Sequence, residues 1–260
     1  MIQAAEALAD IADMEKFSGG GSFIHTLDPR SKIIVTVLFT VTVVSFQKYE
    51  ITGLLPFFAF PFFLMVSAGI PLWFLLRKLM IVGLFALMVG IANPIIDTDV
   101  FTHIGTVPVS GGWISFGTIM LRFALTASAA LLLLMTTGMY RLTIGLEKLR
   151  IPQVFAVQLF FLCRYLLVLT EETARMLRAR DARAFGKSGR TWKVAGGMLS
   201  VLFIRSFDRA ERIHTAMCCR GFDGTLHTTR KLKWSIKDTL FVVVWMVLFI
   251  IFRIKVFEKL

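Results

Sequence analysis

The 260-residue chain is 56% hydrophobic and 18% charged, whereas a soluble domain has about 45–50% apolar and about 25% charged residues. Its net charge of +12 is confined: residues 141–237 hold 19 Lys/Arg against seven Asp/Glu, and the other 163 residues hold ten of each. This excludes a uniformly basic soluble protein such as a nucleic-acid coat, and points to a neutral membrane body carrying one basic module outside the membrane.

Residues 1–30 read as a cytoplasmic N-terminal segment. Glu6, Asp10, Asp13 and Glu15 stand where a basic n-region would be, so a signal peptide is not expected and insertion falls to internal spans. A spanning helix needs about 20 mostly apolar residues. Residues 33–47 carry no charge and are bracketed by Lys32 and Lys48, whose long stems suit snorkelling. Residues 51–76 are charge-free and rich in Phe; Pro56 and Pro61 predict a kink and Pro71 an end. After Arg77 and Lys78, residues 79–96 are again charge-free, and residues 97–112, with Asp97, Asp99, Pro108, Gly111 and Gly112, read as a loop. A fourth span covers 113–140 with Arg122 inside it, and a fifth covers 239–252.

The predicted fold is an all-α integral membrane protein: about five transmembrane helices plus a cytoplasmic module of crossed helices. The membrane domain of four spans is 31–140, the basic module 141–237, and the last transmembrane segment 238–260. The positive-inside rule puts the basic module in the cytoplasm, the 97–112 loop outside and the Arg77–Lys78 turn inside. The C-terminal tail with Arg253, Lys255 and Lys259 then falls outside, against the rule. Arg122 has two readings: a charge marking a substrate or ion path, or one that snorkels or pairs inside the bundle.

Within the module, Leu142, Leu146 and Leu149 make a short apolar stripe closed by Pro152, which reads as an amphipathic helix at the membrane surface. Phe155, Leu159, Leu162, Leu166, Leu169, Thr173, Met176 and Arg180 then follow at alternating spacings of 4 and 3, a heptad seam. Its first half is apolar all round and its second half charged, so the helix starts buried and ends wet; Gly186 and Gly189 are placed as its stop. A second seam runs through Leu199, Phe203, Ser206, Ala210, Ile213, Met217 and Arg220. Ser206 and Ala210 are small enough for another helix to cross closely there, and Gly221 suits a left-handed cap. Both seams run into an Arg at a helix C-terminus. Such a charge compensates the helix dipole, and at an exposed tip it also suits a bidentate pair with a carboxylate in a partner's acidic groove. Anionic headgroups are a further use of the basic surface.

Other chemistry is not supported. Cys163, Cys218 and Cys219 make no CxxC pair and no even framework, so neither a disulfide scaffold nor a structural zinc site is indicated. Gly186-Lys187-Ser188 resembles the end of a phosphate-binding loop, but Asp181 occupies the position of the first Gly and the preceding segment is helical. His25, His103, His214 and His227 have no metal-ligand spacing, and the twelve Met form no ligand run. No catalytic or metal residues are assigned.

Several segments carry a family resemblance. They are Leu27-Asp28-Pro29-Arg30-Ser31-Lys32, the Thr136-Thr137 pair, Leu146-x-x-Leu149-x-Ile151-Pro152, and Arg205-Ser206-Phe207-Asp208-Arg209-Ala210-Glu211-Arg212 leading to Ala216-Met217-Cys218-Cys219-Arg220-Gly221-Phe222-Asp223-Gly224. From about residue 22 onward the sequence resembles the transmembrane (T) component of energy-coupling-factor transporters, in the cobalt/nickel branch known as the CbiQ family. The resemblance implies two cytoplasmic coupling helices, each ending in an Ala-Arg-Gly-like motif that docks onto one of two ATPase subunits. The second motif maps onto Cys219-Arg220-Gly221, with Cys for the first Ala. The first maps onto Ala179-Arg180-Asp181 or Ala182-Arg183-Ala184, neither with the Gly; the seam reaches Arg180, which makes it first choice and Arg183 second.

The same resemblance implies that ATP and Mg bind the partner ATPases and that this chain holds no cofactor. It implies a substrate-binding S component (CbiM-like) as partner, a small CbiN-like membrane subunit, and a bacterial cytoplasmic (inner) membrane location. ATP-driven closure of the ATPase dimer would move the helix tips and tilt the surface presented to the S component. Two other classes lack support in the sequence. A membrane-embedded lipid enzyme would want paired carboxylates or His near an interface, and a standalone channel a polar pore stripe; the apolar spans supply neither.

Overall fold

The first long helix starts where the sequence supplies both a cap and a helix-ready φ. Asp28 is its N-cap, with Oδ1 accepting from the Arg30 N–H at 2.9 Å, and Pro29 is the first helical residue; proline there loses no bond, because that N–H has no intrahelical partner. The computed structural model describes residues 19–47, 50–96, 100–104, 107–183, 192–224 and 234–257. In chain order these form α1 (Phe23–Thr26), α2 (Pro29–Val44), α3 (Ile51–Leu54), a 3₁₀ turn (Leu55–Phe58), α4 (Ala59–Ala68), α5 (Leu72–Ile96), β1 (Val100–Ile104), β2 (Val107–Ser110), α6 (Gly111–Thr137), α7 (Met139–Lys148), α8 (Gln153–Arg183), α9 (Trp192–Cys218) and α10 (Ile236–Phe257).

The chain divides into two compact units. One is built on Lys16–Gly145 with Leu232–Leu260, the bundle unit; the other centres on Leu146–Lys231, the two-helix unit. In the bundle unit α6 lies against α5 and α2, and α10 lies against α2. The core is aromatic. The Phe39 ring centroid is 4.8 Å from that of Phe60 and 5.5 Å from that of Phe249, and Phe60 meets Trp245 edge-on at 4.9 Å. Such pairs add about 0.5–1.5 kcal/mol each beyond their area burial. Outside this core α5 turns Trp73, Leu84, Phe85 and Met88 outward, each more than two-thirds exposed. In water that surface would be costly, and in lipid it is matched.

Among the described residues four helical segments are long and apolar enough to cross a membrane: Ile51–Ala68, Leu72–Pro94, Gly111–Thr137 and Gln153–Arg183. The protein is therefore an all-α, multi-pass membrane protein. The expected spans shift in detail. The first forms as Pro29–Val44, only 16 residues, and the last as Ile236–Phe257. The 51–76 span ends at Ala68, where Gly69 adopts φ 66° and the Ile70 N–H returns to the Met65 carbonyl at 3.1 Å. This left-handed cap, ahead of Pro71, stops the helix earlier than the charge-free run suggests. The predicted kink forms as the 3₁₀ turn at Pro56.

Arg77 and Lys78 lie inside α5 and not in a turn. The 97–112 loop holds a short antiparallel hairpin, with Val100 opposite Ser110 and Ile104 opposite Val107. The Gln153–Arg183 helix, expected wholly in the cytoplasmic module, meets the length and apolarity of a span because its first half carries almost no charge.

Arg122 is a bundle contact. It donates to the Phe46 carbonyl at 2.9 Å and the Gln47 carbonyl at 3.3 Å. Arg253 donates to the Ser45 carbonyl at 3.2 Å and lies over the Phe46 ring at 4.2 Å. Two guanidinium groups thus satisfy carbonyls past the end of α2 that have no intrahelical donor. Lys32 does not snorkel: it is 3% exposed and donates to the Thr136 carbonyl at 3.0 Å. Lys48 lies outside the described residues. On α7, the stripe of Leu142, Leu146 and Leu149 is half-buried, and Thr143, Ile144 and Gly145 are the buried residues. A Cβ on Gly145 would lie 2.9 Å from the Pro29 Cβ, so α7 presses on α2 at a place only glycine fits.

Candidate functional site

The two-helix unit carries the predicted site residues. α8 is 31 residues long and α9 27. They pair antiparallel: Phe161, Tyr165 and Leu169 face Ser206, Ala210 and Met217 at one end, and Met176, Ala179 and Arg183 face Val194 and Met198 at the other. Midway, Glu172 bridges two arginines, accepting from Arg205 at 2.8 Å and pairing with Arg175 at 3.0 Å.

The predicted seams are correct over only part of their length. On α8, Phe155, Leu162 and Leu166 are exposed, at 64%, 62% and 45%, while Leu169, Met176 and Arg180 line the contact with α9. On α9, Leu199 and Phe203 are 66% and 70% exposed, and Val194, Met198 and Val201, the two valines themselves 40% and 43% exposed, line the groove with α8; from Ser206 to Met217 the seam agrees. A helix that is apolar all round offers no periodicity to select a face, and each seam was read through such a stretch. Ser206 and Ala210 do not close a tight crossing. They line an apolar cavity of about 400 Å³ together with Phe161, Leu169 and Met217.

Arg180 and Arg183 lie in the last turn of α8. With Arg175 and Arg205 they line a groove of about 660 Å³ that also includes Met176 and Met198 and, among the described residues, one carboxylate, Glu172. Arg180 Nε is 3.9 Å from Asp181 Oδ1, a distance that leaves its fork available to a closer carboxylate. Ala179, Asp181 and Arg183 are exposed. Ala184, Gly186 and Gly189 lie outside the described residues, as does the Gly-Lys-Ser segment.

The other tip is built more tightly. α9 ends at Cys218; Gly221 has φ 82°, its N–H returns to the Cys218 carbonyl at 3.0 Å, and the Phe222 N–H returns to the Met217 carbonyl at 3.0 Å. This is a Schellman turn. Gly221 is in the left-handed position that its type permits, and Arg220 is exposed on the residue before it, with Cys219 exposed beside it. Because the helices are antiparallel, the two tips lie at opposite ends of the pair. Met198, level with Arg180, is 22 residues from Arg220, which is about 33 Å at 1.5 Å per residue. Among the described residues no group of three or more His, Cys, Asp or Glu side chains converges as a metal would need.

The model of the CbiQ family, described as cobalt transport protein, matches residues 20–234. The chain belongs to the CbiQ family. The energy-coupling factor transporter transmembrane protein EcfT of Listeria innocua is 30% identical over 246 residues, 86% of this chain and 90% of that protein. EcfT of Bacillus subtilis is 30% identical over 253 residues, covering 90% and 94%, and EcfT of Streptococcus thermophilus is 30% identical over 258 residues, covering 91% and 96%. This CbiQ-family chain is thus a transmembrane T component of the energy-coupling-factor type, a transport subunit.

Two features of this CbiQ-family chain escaped the sequence reading. Glu172 lies off the predicted seam, so its bridge to Arg205 had no periodicity to announce it. Asp238 is 2% exposed and joins helix ends 210 residues apart. Its local signal was legible: Ser235 and Asp238, three apart and just ahead of an apolar run, are the capping-box pattern.

Proposed function

We propose that this chain is the coupling subunit of an ATP-driven importer of cobalt or nickel ions, and that it carries motion from two ATPase subunits to a substrate-binding S component. The observation that carries the reading is the geometry of the tips. Two arginine ends, half-buried Arg180 with exposed Arg183 at one and exposed Arg220 at the other, lie about 33 Å apart along the helix pair, a separation suited to two separate acidic grooves and not to one. Arg180 is the preferred contact of the first tip, with Ala179, Asp181 and Arg183 beside it; Cys219 and Gly221 flank Arg220. ATP and Mg belong to the partner subunits, and the chain binds neither. The excess of Lys/Arg in residues 141–237 supports a cytoplasmic face for this unit, with the chain resident in a bacterial cytoplasmic membrane. Motion of the grooves moves the tips, and the pair, bridged at Glu172–Arg205, passes it on as a tilt.

The family description supports cobalt as cargo. The names of the three EcfT relatives give no substrate, and this favours a second reading in which the same subunit serves a vitamin or another solute. Affinity purification of the tagged chain from its native membrane, followed by protein identification, separates the two. The first reading expects two ATPase chains, a CbiM-like S component and a small CbiN-like subunit. Recovery of the ATPases with a vitamin-binding S component would establish the second reading, and recovery of no ATPase would overturn both.

A further inference from the structure

A buried polar cluster in the bundle unit has no part in docking, and it sits where the chain leaves that unit and returns to it. The exit runs through the end of α6, then Gly138 and α7; the return runs through Ser235 into α10. Both are tied to residues 25–32. Lys32, 3% exposed, donates to the Thr136 carbonyl at the end of α6, a position that otherwise lacks an intrahelical donor. Arg141 of α7 donates to the His25 carbonyl at 2.8 Å and reaches the Leu27 carbonyl at 3.4 Å. On the return, Asp238 accepts from the Ser235 N–H at 2.8 Å through Oδ2, closing a capping box on α10. Its Oδ1 accepts from the Asp28 N–H at 2.7 Å, and the Ser31 hydroxyl, which donates to the Asp28 carbonyl at 2.7 Å, lies 3.3 Å from the same oxygen. One carboxylate therefore caps α10 and holds the start of α2 at once.

We propose that residues 25–32 form a force-bearing anchor for both chain connections of the two-helix unit, which makes Asp238, Lys32 and Arg141 positioning residues for coupling. The proposal rests on the coupling reading given above. The physical reason is leverage. The helix pair moves the bundle only if its two covalent connections do not yield, and buried charge-assisted hydrogen bonds are the stiffest ties available at such points. With one connection loose, the tips still follow the ATPases but the motion is taken up in the slack.

The test uses the assembled complex in proteoliposomes with Asp238→Ala and, as a milder variant, Ser31→Ala. Asp238→Ala is expected to keep the ATPases bound and ATP hydrolysis within about twofold while uptake falls about tenfold, an effect within the range of coupling changes at non-contact residues. Ser31→Ala is expected to lower the uptake-to-hydrolysis ratio by about threefold. Hydrogen exchange on the same complex is expected to rise at the Asp28 and Ser235 amides in Asp238→Ala, with the Phe39 and Phe249 region unchanged. Uptake and hydrolysis falling together, an unchanged ratio, or unchanged exchange at both amides would each overturn the anchor. If Asp238→Ala does not assemble, the Ser31→Ala ratio decides. If the wild-type complex shows no ATP-dependent uptake, the coupling reading fails and the positioning role fails with it; the exchange data still show whether one carboxylate ties both helix starts.

Discussion

Arg150 and Gly221 close two helices with the same kind of turn, and only one of them suits it. After α7 the Ile151 N–H returns to the Leu146 carbonyl at 3.4 Å, with Arg150 at φ 66°; after α9 Gly221 does the equivalent job at φ 82°. A left-handed conformation costs a residue with a Cβ about 1–2 kcal/mol, and Gly almost nothing. Arg150→Gly is therefore expected to stabilise the purified chain by about 1 kcal/mol, read as a raised unfolding midpoint in detergent; a lowered midpoint would contradict this. The strained turn precedes Pro152 and the start of α8. At this scale the sequence was legible where a residue type has one job. Gly221 as a left-handed cap followed from glycine's freedom. Arg122 had two readings, and the carbonyls of Phe46 and Gln47 select the packing one; no local pattern relates residue 122 to residue 46.

The two long helices are held to one another by little fixed chemistry. Glu172, Arg175 and Arg205 are the ionic contact at mid-length, and the two arginines are more than half exposed. Exposed pairs of this kind are worth about 0.2–1 kcal/mol. A double-mutant cycle of Glu172→Gln and Arg205→Gln is expected to give a stability coupling below about 1 kcal/mol; a value several times larger would show the bridge to be a main determinant of pairing. The cavity beside Ser206 and Ala210 leaves the pair room to adjust. The heptad seams show what sequence carries at the element scale. The existence and approximate length of both helices were legible. Their facing surfaces were legible from Leu169 and Ser206 onward, where charged residues break the apolar surface. Among Phe155, Leu162, Leu199 and Phe203 every face is apolar, and the choice of face depends on what lies outside the helix.

At the scale of the whole molecule, the membrane body was legible as apolar runs between charges, because lipid imposes length and apolarity on any span. What charge counting missed were turns made without charge, as at Gly69, and charges inside a helix, as at Arg77 and Lys78. The buried ties of Lys32 to Thr136 and of Asp238 to Asp28 join residues 104 and 210 apart, beyond any local pattern. These features give an apolar bundle unit and a basic two-helix unit with arginines at both ends of the pair. In the proposed function the tips, and not the basic surface in general, engage the ATPases. The direct measurement is ATPase co-purification and ATP-driven uptake for the Arg180→Glu, Arg220→Glu double variant, with Arg183→Glu, Arg220→Glu in parallel and Arg178→Glu, Arg212→Glu as a charge-matched control. The first variant is expected to lose both signals while remaining in the membrane, and the control to keep both. Wild-type association and uptake in both tip variants would contradict this.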